Sequence, residues 1–161
     1  NPALPLQVQR ALANSEIPPE RLELEITESV AMEDPARTGD ILTALKALGV
    51  GLSIDDFGTG YSSLTYLKKM PVQHLKIDKQ FIHDLLVNEE DTRIANTIID
   101  LGKSLNLSVV AEGVETAEQE YYLSQRGCKL AQGYFFSKPL PQREFETFVK
   151  GFHEQIVENN L

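Results

Sequence analysis

Residues 50–64 read VGLSIDDFGTGYSSL, and the way this stretch folds sets the pattern for the rest of the chain. Successive residues of a strand point to opposite faces, so Leu52 and Ile54 share one side while Gly51, Ser53 and Asp55 share the other. The run ends in two aspartates, Asp55 and Asp56, and Phe57, Gly58, Thr59 and Gly60 then supply a turn. This is a strand that packs on one face and carries carboxylates out of its C-terminal end. Working outward, the device recurs. Residues 22–26 (LELEI) set Glu23 and Glu25 against Leu22, Leu24 and Ile26, and residues 74–77 (HLKI) set His74, Lys76 and the following Asp78 against Leu75 and Ile77. Residues 107–111 (LSVVA) stop just before Glu112, and residues 129–132 (KLAQ) form a fifth strand candidate.

Between these runs the apolar spacing changes to the helical period. Helices are predicted over 36–48, 79–86, 91–105 and 117–125, with a shorter one at 63–69, one opening the chain at 5–13 and one closing it at 142–154. Strands joined by helical crossovers run parallel, so the architecture is α/β, either an open doubly wound sheet or a closed barrel. Composition does not choose between them. The one close glycine pair, Gly58 and Gly60, lacks the third glycine of a dinucleotide fingerprint, which demotes a doubly wound nucleotide binder. In a (β/α) barrel, the inward residues at the strand tops converge on one pocket.

With 161 residues, 42% hydrophobic and 24% charged, the chain reads as a single domain with a core, which excludes disorder. It holds no apolar run near the ~18 residues of a membrane span and no signal-peptide pattern, so no membrane contact is expected of this segment, although a larger parent could be tethered. The first residue is Asn1, and the segment is expected to be a piece of a longer chain. A single cysteine, Cys128, excludes a disulfide framework and fits a reducing, cytoplasmic compartment. The net charge of −9 repels nucleic-acid polymers, so a phosphate ligand needs metal ions as mediators.

Glu25, Asp55, Asp56 and Glu112 in one mouth could not all remain ionised without a counter-charge. Hard divalent cations supply it, and an oxygen-only donor set favours Mg²⁺ or Mn²⁺ over Zn²⁺. Asp55 could bridge two ions with Asp56 on the second, an arrangement suited to two-metal phosphodiester hydrolysis. Lys76, with its pKa lowered by the cations, could orient or activate the attacking water. Each residue alone has an ordinary role as well. An Asp-Asp pair before Phe-Gly caps turns, Lys76 can be a counter-ion to Asp78 or Glu25, and Cys128, His74, His83 and His153 read as structural. The joint pattern across strands singles out the site.

Taken in order, LELEITES (22–29), IDDFGTGYSSL (54–64), LKIDKQFI (75–82), VVAEGVET (109–116) and QGYFFSKPL (132–140) resemble the successive motifs of the EAL domain, over nearly the whole chain. The resemblance implies a TIM-like (β/α) barrel and a Mg²⁺- or Mn²⁺-dependent phosphodiesterase that opens cyclic di-GMP to linear pGpG, acting as a homodimer. It implies Glu25 and Asp55 as ligands of a first metal, with Asp55 and Asp56 addressing a second. Lys76 then contacts the attacking water, and Glu112 activates it or binds the second metal. Glu28 anchors the loop from Asp56 to Leu64, and Gln132, Glu115 and Asp78 face the substrate. The Glu-Ala-Leu segment and the Asn-bearing strand that follows it in the family do not occur here, so the barrel is expected to be N-terminally incomplete, short of the ~250 residues of a full one. Truncation of that kind would leave a free sheet edge. Two other readings remain open, a non-catalytic module that binds cyclic di-GMP or a protein partner, and a fragment that completes itself by pairing with a second copy.

Overall fold

The computed structural model describes residues 1–60 and 63–158, with side chains described as far as Gly151. The readings made for Tyr61, Ser62 and the side chain of His153 lie outside the described residues. Five strands, β1 (Glu23–Thr27), β2 (Gly51–Phe57), β3 (His74–Ile77), β4 (Ser108–Glu112) and β5 (Leu130–Gln132), form one parallel sheet in the order 1-2-3-4-5. The helices are α1 (Leu4–Ser15), α2 (Glu28–Glu33), α3 (Pro35–Ala47), α4 (Leu64–Leu67), α5 (Lys79–His83), α6 (Glu89–Leu105), α7 (Ala117–Gln125) and α8 (Gln142–Glu158). Strand order that follows chain order, with a helix between each pair, is the winding of a (β/α) barrel wall. Among the described residues β1 and β5 are the two edges of the sheet.

The core lies between the apolar face of the sheet and the helices. Leu52, Ile54, Leu75, Ile77 and Ala111 from the strands are buried with Leu42 and Leu45 of α3, Ile98 and Ile99 of α6 and Leu123 of α7. Removing each such aliphatic side chain from water stabilises the fold by roughly 1.5–3 kcal/mol. Helix α6 packs closely on β4 because Gly102 faces it: a Cβ at that position would stand 2.3 Å from Val109 Cγ2. Asn88 caps the start of α6 by accepting from Glu90 N at 2.9 Å, and Asn106 ends it in the left-handed conformation with φ 58°.

Several boundaries differ from those expected. Strands β1 and β4 begin and end one residue later, so Glu112 is the last residue of β4 and not the first beyond it. Strand β2 runs on to Phe57, because the ladder with β3 resumes at Phe57–Ile77 after an irregularity. Helix α5 stops at His83, where the chain turns through Asp84 to Leu86, the latter at φ 74°. Helix α2 was not expected at all, since six residues are too few to show a helical period.

Candidate metal centre at the strand tops

The polar face of the sheet collects the ionisable residues. Asp55 and Asp56 reach it together through a backbone device, not through the Phe57–Gly60 turn expected from sequence. Asp56 adopts a left-handed conformation, φ 53°, inside the irregularity of β2. Aspartate is among the few residues that tolerate this region. The kink inserts one residue into the strand, so both carboxylates face the mouth while Ile54 and Phe57 stay buried. Carboxylate oxygens of Asp55, Asp56 and Glu112 all lie within 4.8 Å of one another. Glu25 is not part of that triplet; it meets Lys76.

Lys76 stands at the centre, buried, with Nζ 2.7 Å from Glu112 Oε1, 2.8 Å from Glu25 Oε2 and 3.0 Å from Asp55 Oδ1. Burial pushes its ammonium down, but the hydrogen bonds to Glu112, Glu25 and Asp55 outweigh it and hold the pKa above the ordinary lysine value. Held by these three carboxylates, Lys76 is a fixed positive charge. Burial likewise raises Glu112, opposed by Lys76. Burial also raises Asp56, reinforced by Asp55 and by Asp78, whose side chain lies within hydrogen-bonding reach. Glu25, Asp55 and Glu112 thus share the Lys76 ammonium, with Asp56 and then Asp78 beside them. Asp55 Oδ1 is buried and faces the Lys76 ammonium at 3.0 Å. Three carboxylates converging within 4.8 Å in an all-oxygen, strongly negative mouth are the chemistry that fits a hard divalent cation.

The remaining predicted residues surround this centre. Gln132 Nε2 donates to Glu112 Oε1 at 2.7 Å, so its contact is with a neighbouring carboxylate. Asp78 caps α5, accepting from Gln80 N at 2.7 Å, while its side chain adjoins Asp56. Glu115 and Gln132 line a cavity of about 560 Å³. Lys79, Lys138, Tyr134 and Phe145 line it too, and sequence reading had not singled them out. Glu28, 1% exposed, lies away from the cluster and accepts from Gly58 N at 2.8 Å and Gly60 N at 3.2 Å, which fastens the loop after β2. His74, read as structural, pairs with Glu23: its Nδ1 is 2.7 Å from Glu23 Oε1.

Comparison with known proteins agrees with this geometry. The sequence profile described as EAL domain matches residues 1–139. The bifunctional diguanylate cyclase/cyclic di-GMP phosphodiesterase MucR of Pseudomonas aeruginosa is 48% identical over 137 residues, covering 85% of this chain and 20% of that protein. The chain thus spans about a fifth of the length of that relative. The solved PaMucR phosphodiesterase in complex with c-di-GMP superposes with a TM-score of 0.87 at 47% identity, over 89% of this chain and 58% of that one. Klebsiella pneumoniae BlrP1, solved at pH 6 with manganese and cyclic di-GMP, superposes with a TM-score of 0.77 at 31% identity, over 86% of this chain and 35% of that one. A profile match over most of the sequence, on a parallel sheet with the carboxylates at its strand tops, makes the chain a member of the EAL domain family.

Proposed function

We propose that this chain carries most of the active site of a cyclic di-GMP phosphodiesterase, which hydrolyses the cyclic dinucleotide to linear pGpG. The observation that carries the reading is the juxtaposition of Asp55, Asp56 and Glu112 within 4.8 Å beside the buried Lys76. MucR and the solved PaMucR, named as phosphodiesterases, and the c-di-GMP complex of the latter support it.

Glu25, Asp55, Asp56 and Glu112 would hold two divalent ions, Mg²⁺ or Mn²⁺. Bound there, the ions neutralise the mouth, bind phosphate oxygens and acidify a water. Water attacks phosphorus, the bond to the 3′ oxygen breaks, and the phosphate stays on the 5′ oxygen of the linear product. Lys76 donates hydrogen bonds that orient the attacking water, and Glu112 accepts its proton. Gln132 restricts the rotamer of Glu112, while Asp78 and Glu115 bound the substrate side. Glu28 keeps the loop after Asp56 from relaxing. The missing ligands would come from further strands of the same barrel, consistent with coverage of 58% of the PaMucR chain.

A homodimer in the cytoplasm is the assembly we favour. Leu64 and Tyr66 on α4 are exposed next to the Glu28-anchored loop, the single cysteine is unpaired, and among the described residues no helix is long and apolar enough to cross a membrane. The test of the reaction is hydrolysis in ¹⁸O-water with Mg²⁺: one label in the 5′-phosphate of pGpG is expected. Absence of pGpG with bound, unaltered cyclic di-GMP would point to the binding module instead.

A further inference from the structure

The polar face of the sheet carries a second cross-strand pair that the proposed chemistry does not use. Glu23 and His74 each lie two positions before Glu25 and Lys76 on the same strands, so all four project to one face. His74 Nδ1 is 2.7 Å from Glu23 Oε1, just as Lys76 Nζ is 2.8 Å from Glu25 Oε2. Both pairs join β1 to β3 directly, passing over β2 between them. The residues of β2 beneath are small enough to allow it. Gly51 is the register partner of Glu23, and a Cβ there would stand 3.2 Å from Glu23 Cγ. Ser53 is the register partner of both Glu25 and His74 and is fully buried. A carboxylate only accepts, so His74 donates from Nδ1 in a charge-assisted bond.

We propose that Glu23 and His74 are positioning residues for the metal centre: their bond holds β1 against β3 so that Glu25 is presented to a divalent cation. The proposal rests on the reading of Glu25 as a ligand. Within the described sheet β1 is held by its ladder to β2 and by these bridges to β3. The upper bridge would share the Glu25 carboxylate between Lys76 and a cation. The lower bridge has no ligand in it and persists. Metal geometry tolerates displacements of only about 0.5 Å, so the strand that carries Glu25 has to be held closely in place.

The test is Mn²⁺ titration, without nucleotide, of the natural full-length protein and of its variants, with thermal melting alongside. Glu25→Gln is expected to weaken Mn²⁺ binding; unchanged binding would overturn the ligand reading and the proposal with it. His74→Leu, which keeps bulk and loses the donor, is expected to raise the Mn²⁺ Kd about tenfold, the lower end of what loss of an outer partner does. His74→Asn, whose amide nitrogen occupies the place of Nδ1, is expected to restore most of the affinity. A lowered melting temperature with an unchanged Kd in His74→Leu, or equal weakening in the Leu and Asn variants, would overturn the positioning role. Should His74→Leu fail to fold, Glu23→Ala carries the same expectation, and an unchanged Kd again overturns it.

Discussion

Lys76 shows how much of a site depends on one side chain. Its ammonium contacts three carboxylates within 3.0 Å, so it is their local counter-charge. Breaking a buried charge pair by removing one partner costs on the order of 3 kcal/mol. Lys76→Met is therefore expected to melt well below wild type in EDTA, and saturating Mn²⁺ is expected to close much of that gap. Differential scanning calorimetry with and without Mn²⁺ reads it, and an equal melting temperature in EDTA would contradict it. Cys128 makes a different case. It is buried, and burial pushes its thiol above the ordinary value. The unfolded thiol ionises first, so the stability it contributes is fully present below the ordinary thiol value and is lost as pH rises from there through the raised value of the folded chain. Labelling by a disulfide reagent at pH 8 is expected to be slow in the folded chain and immediate in denaturant. Rapid labelling of the native chain would show that the β4–β5 region opens readily. At this scale the sequence showed which residue types were gathered, because alternation alone puts Glu25, Asp55 and Lys76 on one face. It did not show that Asp56 takes a positive φ, since nothing in Asp-Asp-Phe-Gly distinguishes a kink at the second aspartate from a turn after it.

Among the elements, the legible ones were those long enough to show a period. Helix α7 has the bounds that its period predicted, and the structure closes its start with a capping box, Thr116-x-x-Gln119, with both reciprocal bonds present. Helix α2 escaped because its six residues carry one buried aliphatic, Ala31, and its other buried side chain is a glutamate. That glutamate gives the element its purpose. Glu28 starts α2 directly above β1 and reaches across to two backbone N–H groups after β2. Glu28→Ala leaves both donors without a partner, a loss of roughly 1–3 kcal/mol. Faster hydrogen exchange confined to the loop around residues 58–60 is expected, with the sheet still protected and turnover reduced. Uniformly faster exchange would mean that Glu28 supports the whole fold and not the loop.

Over the whole molecule, five parallel strands with a helix after each were legible from period alone, whereas closure into a barrel came only through the resemblance. The physical reason is that an open sheet and a barrel wall use the same βα unit, and they differ in what meets the two edges. A formal charge of −9 concentrates the same issue. Much of the local repulsion lies at one end of the sheet, where Glu25, Asp55, Asp56, Asp78 and Glu112 meet, and divalent cations are the natural relief. The most direct test of the account is cyclic di-GMP turnover by the natural full-length protein with Mg²⁺, in wild type and Asp55→Asn, each shown to fold by circular dichroism. Formation of pGpG by the wild type, abolished by EDTA and reduced at least about 100-fold in Asp55→Asn, is the predicted result; a folded Asp55→Asn that turns over at the wild-type rate would contradict it.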